Sequence, residues 1–167
     1  MKKLRYLALV ACALMTNGLQ AADHPLLLKA DRVFTGDGAA HAGWVVLVSA
    51  NRITGVGPAD KIAAPAEAET IDLPGMTLLP GLIDLHSHLL LYPYNQTSWD
   101  DQVMRQSAEY RTILATIHAA DTLRAGFTTL RDLGSEGAGY ADVAVKRAIE
   151  EGKIPGPRLF VDRRAHV

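Results

Sequence analysis

His86 and His88 stand two residues apart in Leu82-Ile83-Asp84-Leu85-His86-Ser87-His88-Leu89, a run that alternates apolar and polar side chains. On an extended strand, residues i and i+2 face the same way, about 6.5–7 Å apart along the backbone. Two imidazoles so placed can converge on one metal ion. Imidazole suits zinc, iron, nickel and copper, and a hydrolytic zinc site commonly keeps three protein ligands and one open position. Asp84 falls on the same face one step earlier. A carboxylate there can fix the tautomer of an imidazole, or it can anchor the strand to its neighbours. Other polar residues make weaker claims. Asp132 can point into a barrel mouth or serve as a structural partner, and the structural role is the better fit to its place beside Arg131. His24 and His41 fall in a separate β-rich segment, His118 lies beside the apolar stripe of a helix, and His166 is terminal. Gly36-Asp37-Gly38 and Gly134–Gly139 are turn chemistry, since neither carries the lysine of a phosphate loop.

The elements that must hold these residues are written around them. From Leu26 to Leu79 the chain reads as short strands between turns, including the β-branched run Trp44–Val48 and a hairpin through Ser49-Ala50-Asn51-Arg52 into Ile53–Val56. Glu69–Leu73, a Pro74-Gly75 turn and Met76–Leu79 complete a small antiparallel β-sandwich-type module. At Pro80 the pattern changes. The histidine strand, Leu82–Leu89, leads to a helix over Trp99–Ala125. There Tyr110, Ile113, Leu114, Ile117 and Ala120 recur at three and four residues and predict the buried face, with Glu109, Arg111 and Asp121 off it. A strand at Phe127–Leu133, a helix at Tyr140–Glu151 and a strand opening at Arg158–Val161 follow. Strands alternating with helices of this length predict βα units around a parallel sheet, an α/β class whose active sites sit at the C-terminal ends of the strands.

Composition narrows the partners. The chain has 167 residues, 49% hydrophobic and 21% charged, with a net charge of -1. Near neutrality gives no electrostatic drive toward nucleic acid, and mixed charge at this hydrophobicity excludes wholesale disorder and a polytopic membrane protein. Lys2, Lys3 and Arg5 precede an uncharged apolar run, Tyr6–Met15, and Ala21 offers a small residue for cleavage. This is the layout of a signal peptide over residues 1–21, and it predicts a secreted or periplasmic product. The apolar run falls short of the roughly 18 residues of a spanning helix, so no stable membrane anchor is expected. Leu9-Val10-Ala11-Cys12 alternatively resembles a lipoprotein acylation box. Cys12 is the single cysteine, so the exported chain would have no disulfide and no thiol chemistry.

Leu79-Pro80-Gly81-Leu82-Ile83-Asp84-Leu85-His86-Ser87-His88, following a short β module, resembles the opening of a metal-dependent amidohydrolase. Ala125-Gly126-Phe127-Thr128-Thr129-Leu130-Arg131-Asp132-Leu133-Gly134, Tyr140–Val143 and Ile154-Pro155-Gly156-Pro157-Arg158-Leu159 resemble the branch of secreted Xaa-Pro dipeptidases and imidazolonepropionase-like hydrolases. The resemblance implies a (β/α)8 TIM-like barrel with a β side domain: residues 22–79 form the N-terminal part of that domain, and 80–167 the first two to three βα units of an incomplete barrel. It implies one or two zinc ions, or another divalent metal, with His86 and His88 as ligands and Asp84 behind them. The substrate would be a small molecule or a dipeptide whose C–N bond is cleaved by a metal-activated water. A modified lysine, two further histidines and an acid–base aspartate would come from later strands, so no catalytic residue is expected within this chain and the chain alone is expected to be inactive. A cyclic-amide hydrolase of the imidazolonepropionase type and a non-catalytic secreted binding module are the alternatives. After Leu159 the chain departs from the pattern, running into the charged stretch Val161–Val167.

Overall fold

Aliphatic and β-branched residues crowd the first half of the chain, and they pair into one five-stranded sheet. The computed structural model describes residues 24–162; the signal-peptide segment, Cys12 and His166 lie outside the described residues. The chain divides between Leu79 and Pro80 into two units.

In the first unit the strands are β1 (Leu26–Phe34), β2 (Ala40–Ala42), β3 (Trp44–Ser49), β4 (Arg52–Pro58) and β5 (Glu69–Leu78). β2 and β3 pair antiparallel with β1 at a single register, from Phe34 opposite Ala40 to Leu26 opposite Val48. β4 completes a hairpin with β3. Val33, Val45, Val46 and Leu47 are buried. The pairings among β1 to β4 are antiparallel, as the short strands and turns predict, whereas β5 departs from that expectation and runs parallel to β1. Pro74-Gly75 is not a turn either. It is a bulge within one strand, the register passing from Ala30 opposite Leu73 to Arg32 opposite Thr77. Gly75, at φ +75°, takes the left-handed backbone that lets the strand absorb the extra residues and continue.

The second unit has three parallel strands in the order β6 (Leu82–Ser87), β7 (Phe127–Asp132) and β8 (Arg158–Val161). Helix α1 (Ala108–Arg124) connects β6 to β7, and α2 (Ala141–Glu150) connects β7 to β8. Such strand–helix repetition is the α/β architecture of an incomplete TIM-like barrel. Its core gathers Leu89, Leu90, Ala115, Ala119, Leu130, Val145 and Leu159.

Two expectations for the first helix are corrected. The segment after Trp99 is not one helix: a π-helical turn, Asp101–Arg105, ends at Gln106 and Ser107, both extended. Ser107 then caps α1, its hydroxyl accepting from the amide of Tyr110 at 3.2 Å. The buried face is also different. Tyr110, Ile113 and Ile117 are half-exposed or more and Leu114 is half-buried; Ala120 is buried as expected, but so are Arg111, Ala115 and Ala119. Residues 111, 115 and 119 form an i, i+4 ridge, and its alanines let the helix approach the sheet closely.

Candidate metal centre

β6 ends at Ser87, so His86 is its last residue but one and His88 is the first residue beyond it. The pairing of β6 with β7 is irregular here: Asp84 lies opposite Leu130, but Ser87 lies opposite Asp132. One extra residue is accommodated on β6. The Asp84 carboxylate accounts for this, because its Oδ1 accepts the backbone N–H of His86 at 2.9 Å. That amide is turned to a side chain rather than to the neighbouring strand. Asp84 therefore shapes the backbone that carries His86. Among the described residues its bond is to that amide and not to an imidazole.

The two rings lie side by side, with centroids 5.5 Å apart and planes at 65°. Asp84, His86, Ser87 and His88 line one open depression of about 530 Å³, and Leu91, Tyr92, Pro93 and Tyr94 form its other wall. Tyr92 is held by Gln102, which is fully buried. The Gln102 side chain accepts the Tyr92 amide at 2.9 Å and donates to the carbonyls of Tyr92 and Thr97 at 2.9 and 2.8 Å. Gln106 donates to the Tyr92 hydroxyl at 2.7 Å. His118 is a packing partner of this wall: its Nδ1 lies 3.2 Å from the Leu89 carbonyl, and its ring lies 5.5 Å from that of Tyr92.

The tautomer of His88 follows from its neighbours. Nδ1 lies 3.1 Å from the carbonyl oxygen of Gly134, and the Glu136 carboxylate lies 3.6 Å away. Both are acceptors, an arrangement that a proton on Nδ1 satisfies and that leaves the lone pair to Nε2. A neutral imidazole with one nitrogen tied to a carbonyl and the other open is the form that ligates a metal. His86 and His88 thus fit a divalent ion as two adjacent nitrogen donors. Among the described residues they are joined by no further ligands: no group of three or more His, Cys, Asp or Glu that could hold an ion is present.

Behind the histidines, Asp132 is buried and Arg111 is 2% exposed. Asp132 accepts one amide from each of the two loops, Leu89 N–H at 2.9 Å and Gly134 N–H at 3.0 Å. Burial pushes its carboxyl above the usual carboxylate range, and Asp142 adds to this, while the two amides and His88 pull the other way. Arg111 donates to the carbonyls of Ser135 at 2.7 Å, Glu136 at 2.8 Å and Leu90 at 3.3 Å. Burial lowers its pKa and Glu136 raises it; a guanidinium stays charged in either case. Asp132 has the structural role that its position suggested. Arg111 and the Gly134 carbonyl escaped the sequence reading. The signal for Arg111 was its place in the alanine row of α1, outweighed there by the larger apolar stripe.

The chain resembles known proteins. A 5-methylthioadenosine/S-adenosylhomocysteine deaminase of Symbiobacterium thermophilum is 29% identical over 134 residues, 73% of this chain and 30% of that protein. An N-substituted formamide deformylase of Arthrobacter pascens is 36% identical over 77 residues, 45% of this chain and 14% of that protein. Among solved structures, a Xaa-Pro dipeptidase with methionine bound in its active site superposes with a TM-score of 0.68 at 29% identity, covering 82% of this chain and 32% of its own. The chain spans less than a third of the length of each. Residues 77–164, which hold β6 to β8, both histidines and the two loops behind them, match the model of the amidohydrolase family, and the chain belongs to that family.

Proposed function

We propose that this chain is the amino-terminal part of an exported, zinc-dependent amidohydrolase that hydrolyses a C–N bond of a small substrate, with Xaa-Pro dipeptides as the substrate class. The observation that carries the reading is His88. Its Nδ1 lies 3.1 Å from a carbonyl oxygen, and its ring stands beside that of His86 at a strand end of an amidohydrolase segment. His86 and His88 hold the ion, and Asp84 shapes the backbone that presents His86. A bound divalent ion supplies a water whose pKa is lowered toward about 7 and a Lewis acid for the scissile carbonyl. The remaining ligands and the proton-transfer carboxylate belong to later strands of the barrel. Likeness to a Xaa-Pro dipeptidase over 82% of the chain supports the substrate class. The match to a deaminase over 73% of the chain favours a second reading, hydrolytic loss of ammonia from an amidine carbon.

The experiment is to sequence the locus past Val167, express the whole reading frame and assay it on Xaa-Pro dipeptides, a cyclic amide and 5′-substituted adenosines, with and without chelator. Metal-dependent release of proline supports the first reading, and metal-dependent release of ammonia the second. Turnover of any of these that survives exhaustive chelation rejects both. Export is checked separately. The basic start, apolar run and Ala21 predict a mature product beginning near Ala22 or Asp23, and an exported protein that still carries Met1 by N-terminal sequencing rules out cleavage.

A further inference from the structure

The two loops that follow β6 and β7 are stitched by two buried side chains from different elements, one acidic and one basic. Asp132, at the end of β7, takes the N–H of Leu89 from one loop and the N–H of Gly134 from the other. Arg111, from α1, takes the carbonyl of Leu90 from the first loop and those of Ser135 and Glu136 from the second. Between these anchors lies the Gly134 carbonyl, the acceptor for His88. The peptide before it is fixed by Asp132 and the peptides after it by Arg111. Gly134 itself sits at φ +139°, a backbone that side-chain-bearing residues rarely adopt, so the direction of this carbonyl depends on having no Cβ.

We propose that Arg111 and Asp132 are positioning residues for His88: by pinning the Gly134 carbonyl they hold the imidazole with its proton on Nδ1 and its lone pair on Nε2. Neither reaches the depression, and neither is asked to touch substrate. The alternative orienting group is the Glu136 carboxylate, which lies farther from Nδ1 than the carbonyl does, 3.6 against 3.1 Å. The consequence for zinc rests on the reading of His88 as a ligand, but the tautomer does not, and it can be measured without metal.

The test is a two-bond ¹H–¹⁵N correlation spectrum of the metal-free 167-residue chain labelled in histidine, recorded below the concentration at which it associates, followed by zinc titration. His88 of the wild-type chain is expected as the Nδ1–H form. Arg111→Lys and Asp132→Asn are expected to shift it to a mixture with the Nε2–H form and to weaken zinc binding about 10- to 100-fold, as losses behind a ligand commonly do. Glu136→Gln should leave the tautomer in place. A wild-type His88 protonated on Nε2 overturns the proposal, whatever the variants do. So does an unchanged tautomer in both folded clamp variants, or a shift produced by Glu136→Gln alone. If one clamp variant fails to fold, the other and the wild-type spectrum still decide. If the tautomer behaves as expected but the wild-type chain takes up no zinc, the clamp stands and the metal reading fails.

Discussion

At His88 two acceptors compete for one ring proton, and both leave Nε2 open. If His86 and His88 are the ligand pair, replacing either by alanine removes one of two nitrogen donors. His86→Ala and His88→Ala are each expected to abolish measurable zinc uptake by the chain in a titration. Undiminished uptake in both would reject the assignment. Asp132 sets a different observable. Its folded carboxyl is raised by burial, so between the ordinary carboxylate range and that raised value the folded chain keeps a proton that the unfolded chain has released. Its contribution to stability is therefore complete in acid and declines as pH rises through the window. Asp142, also raised by burial, acts in the same sense. Asp37, lowered first by its hydrogen bond with Thr35, and Glu109, lowered first by a backbone bond, act in the opposite sense and at lower pH. Urea unfolding should show stability falling as pH rises above the ordinary carboxylate range, with a shallower fall in Asp132→Asn. An unchanged slope in that variant would show that Asp132 is not the titrating group.

The elements hold the site through close approaches that sequence propensity does not describe. Gly156, in the Pro155-Gly156-Pro157 link between α2 and β8, is one. A Cβ placed there would stand 2.5 and 2.9 Å from Ile149 side-chain carbons and 3.1 Å from the Cβ of Ala119. Ala119 lies on the buried ridge of α1 and Ile149 near the end of α2, so the glycine lets the link pass between both helices. Gly156→Ala is expected to destabilise the second unit by about 1–3 kcal/mol, the usual cost of overpacking, seen as a lower urea midpoint at unchanged slope. A midpoint equal to that of the wild type would mean that Ile149 moves aside freely. The bulge in β6 is another such device. Strict alternation predicts that Asp84, His86 and His88 share a face because all are even-numbered. They do line one depression, but through a bulge and across the end of the strand rather than along a regular pleat.

For the molecule as a whole, length sets the limit on what the chain can do by itself. The chain spans less than a third of the length of the relatives it matches, and a catalytic zinc site generally takes three protein ligands where the described residues offer two. Residues 22–167 alone are expected to show no metal-dependent hydrolysis of dipeptides and only weak zinc binding. β6 is the edge of the described parallel sheet, and Ile83 and Leu85 on it are 60% and 69% exposed. Ile113 and Ile117 on α1 are 61% and 52% exposed. Apolar strands of parallel sheets are normally covered on both faces, and an uncovered edge pairs with other chains. The isolated chain should therefore associate as its concentration rises, measured by sedimentation. A soluble monomer with stoichiometric zinc and chelator-sensitive turnover would contradict this account.

Several features were determined by sequence alone because they depend on local rules. The alternation around His86 and His88, the change of pattern at Pro80 and the strand–helix–strand rhythm after it follow from backbone periodicity and from the glycines and prolines that interrupt it. Their α/β outcome is the observed one. Tertiary structure decided what depends on partners far apart in the chain. The parallel pairing of β5 with β1 joins segments some forty residues apart, and no local turn specifies it. The buried face of α1 is chosen by how near the helix must come to β7 and α2. Alanines permit that approach, and the larger stripe of Tyr110, Ile113 and Ile117 is left outside. The orienting partner of His88 is a backbone carbonyl 46 residues away. Every residue carries such a carbonyl, so composition and spacing cannot single one out; only the folded loops, held by Asp132 and Arg111, bring this one to the ring.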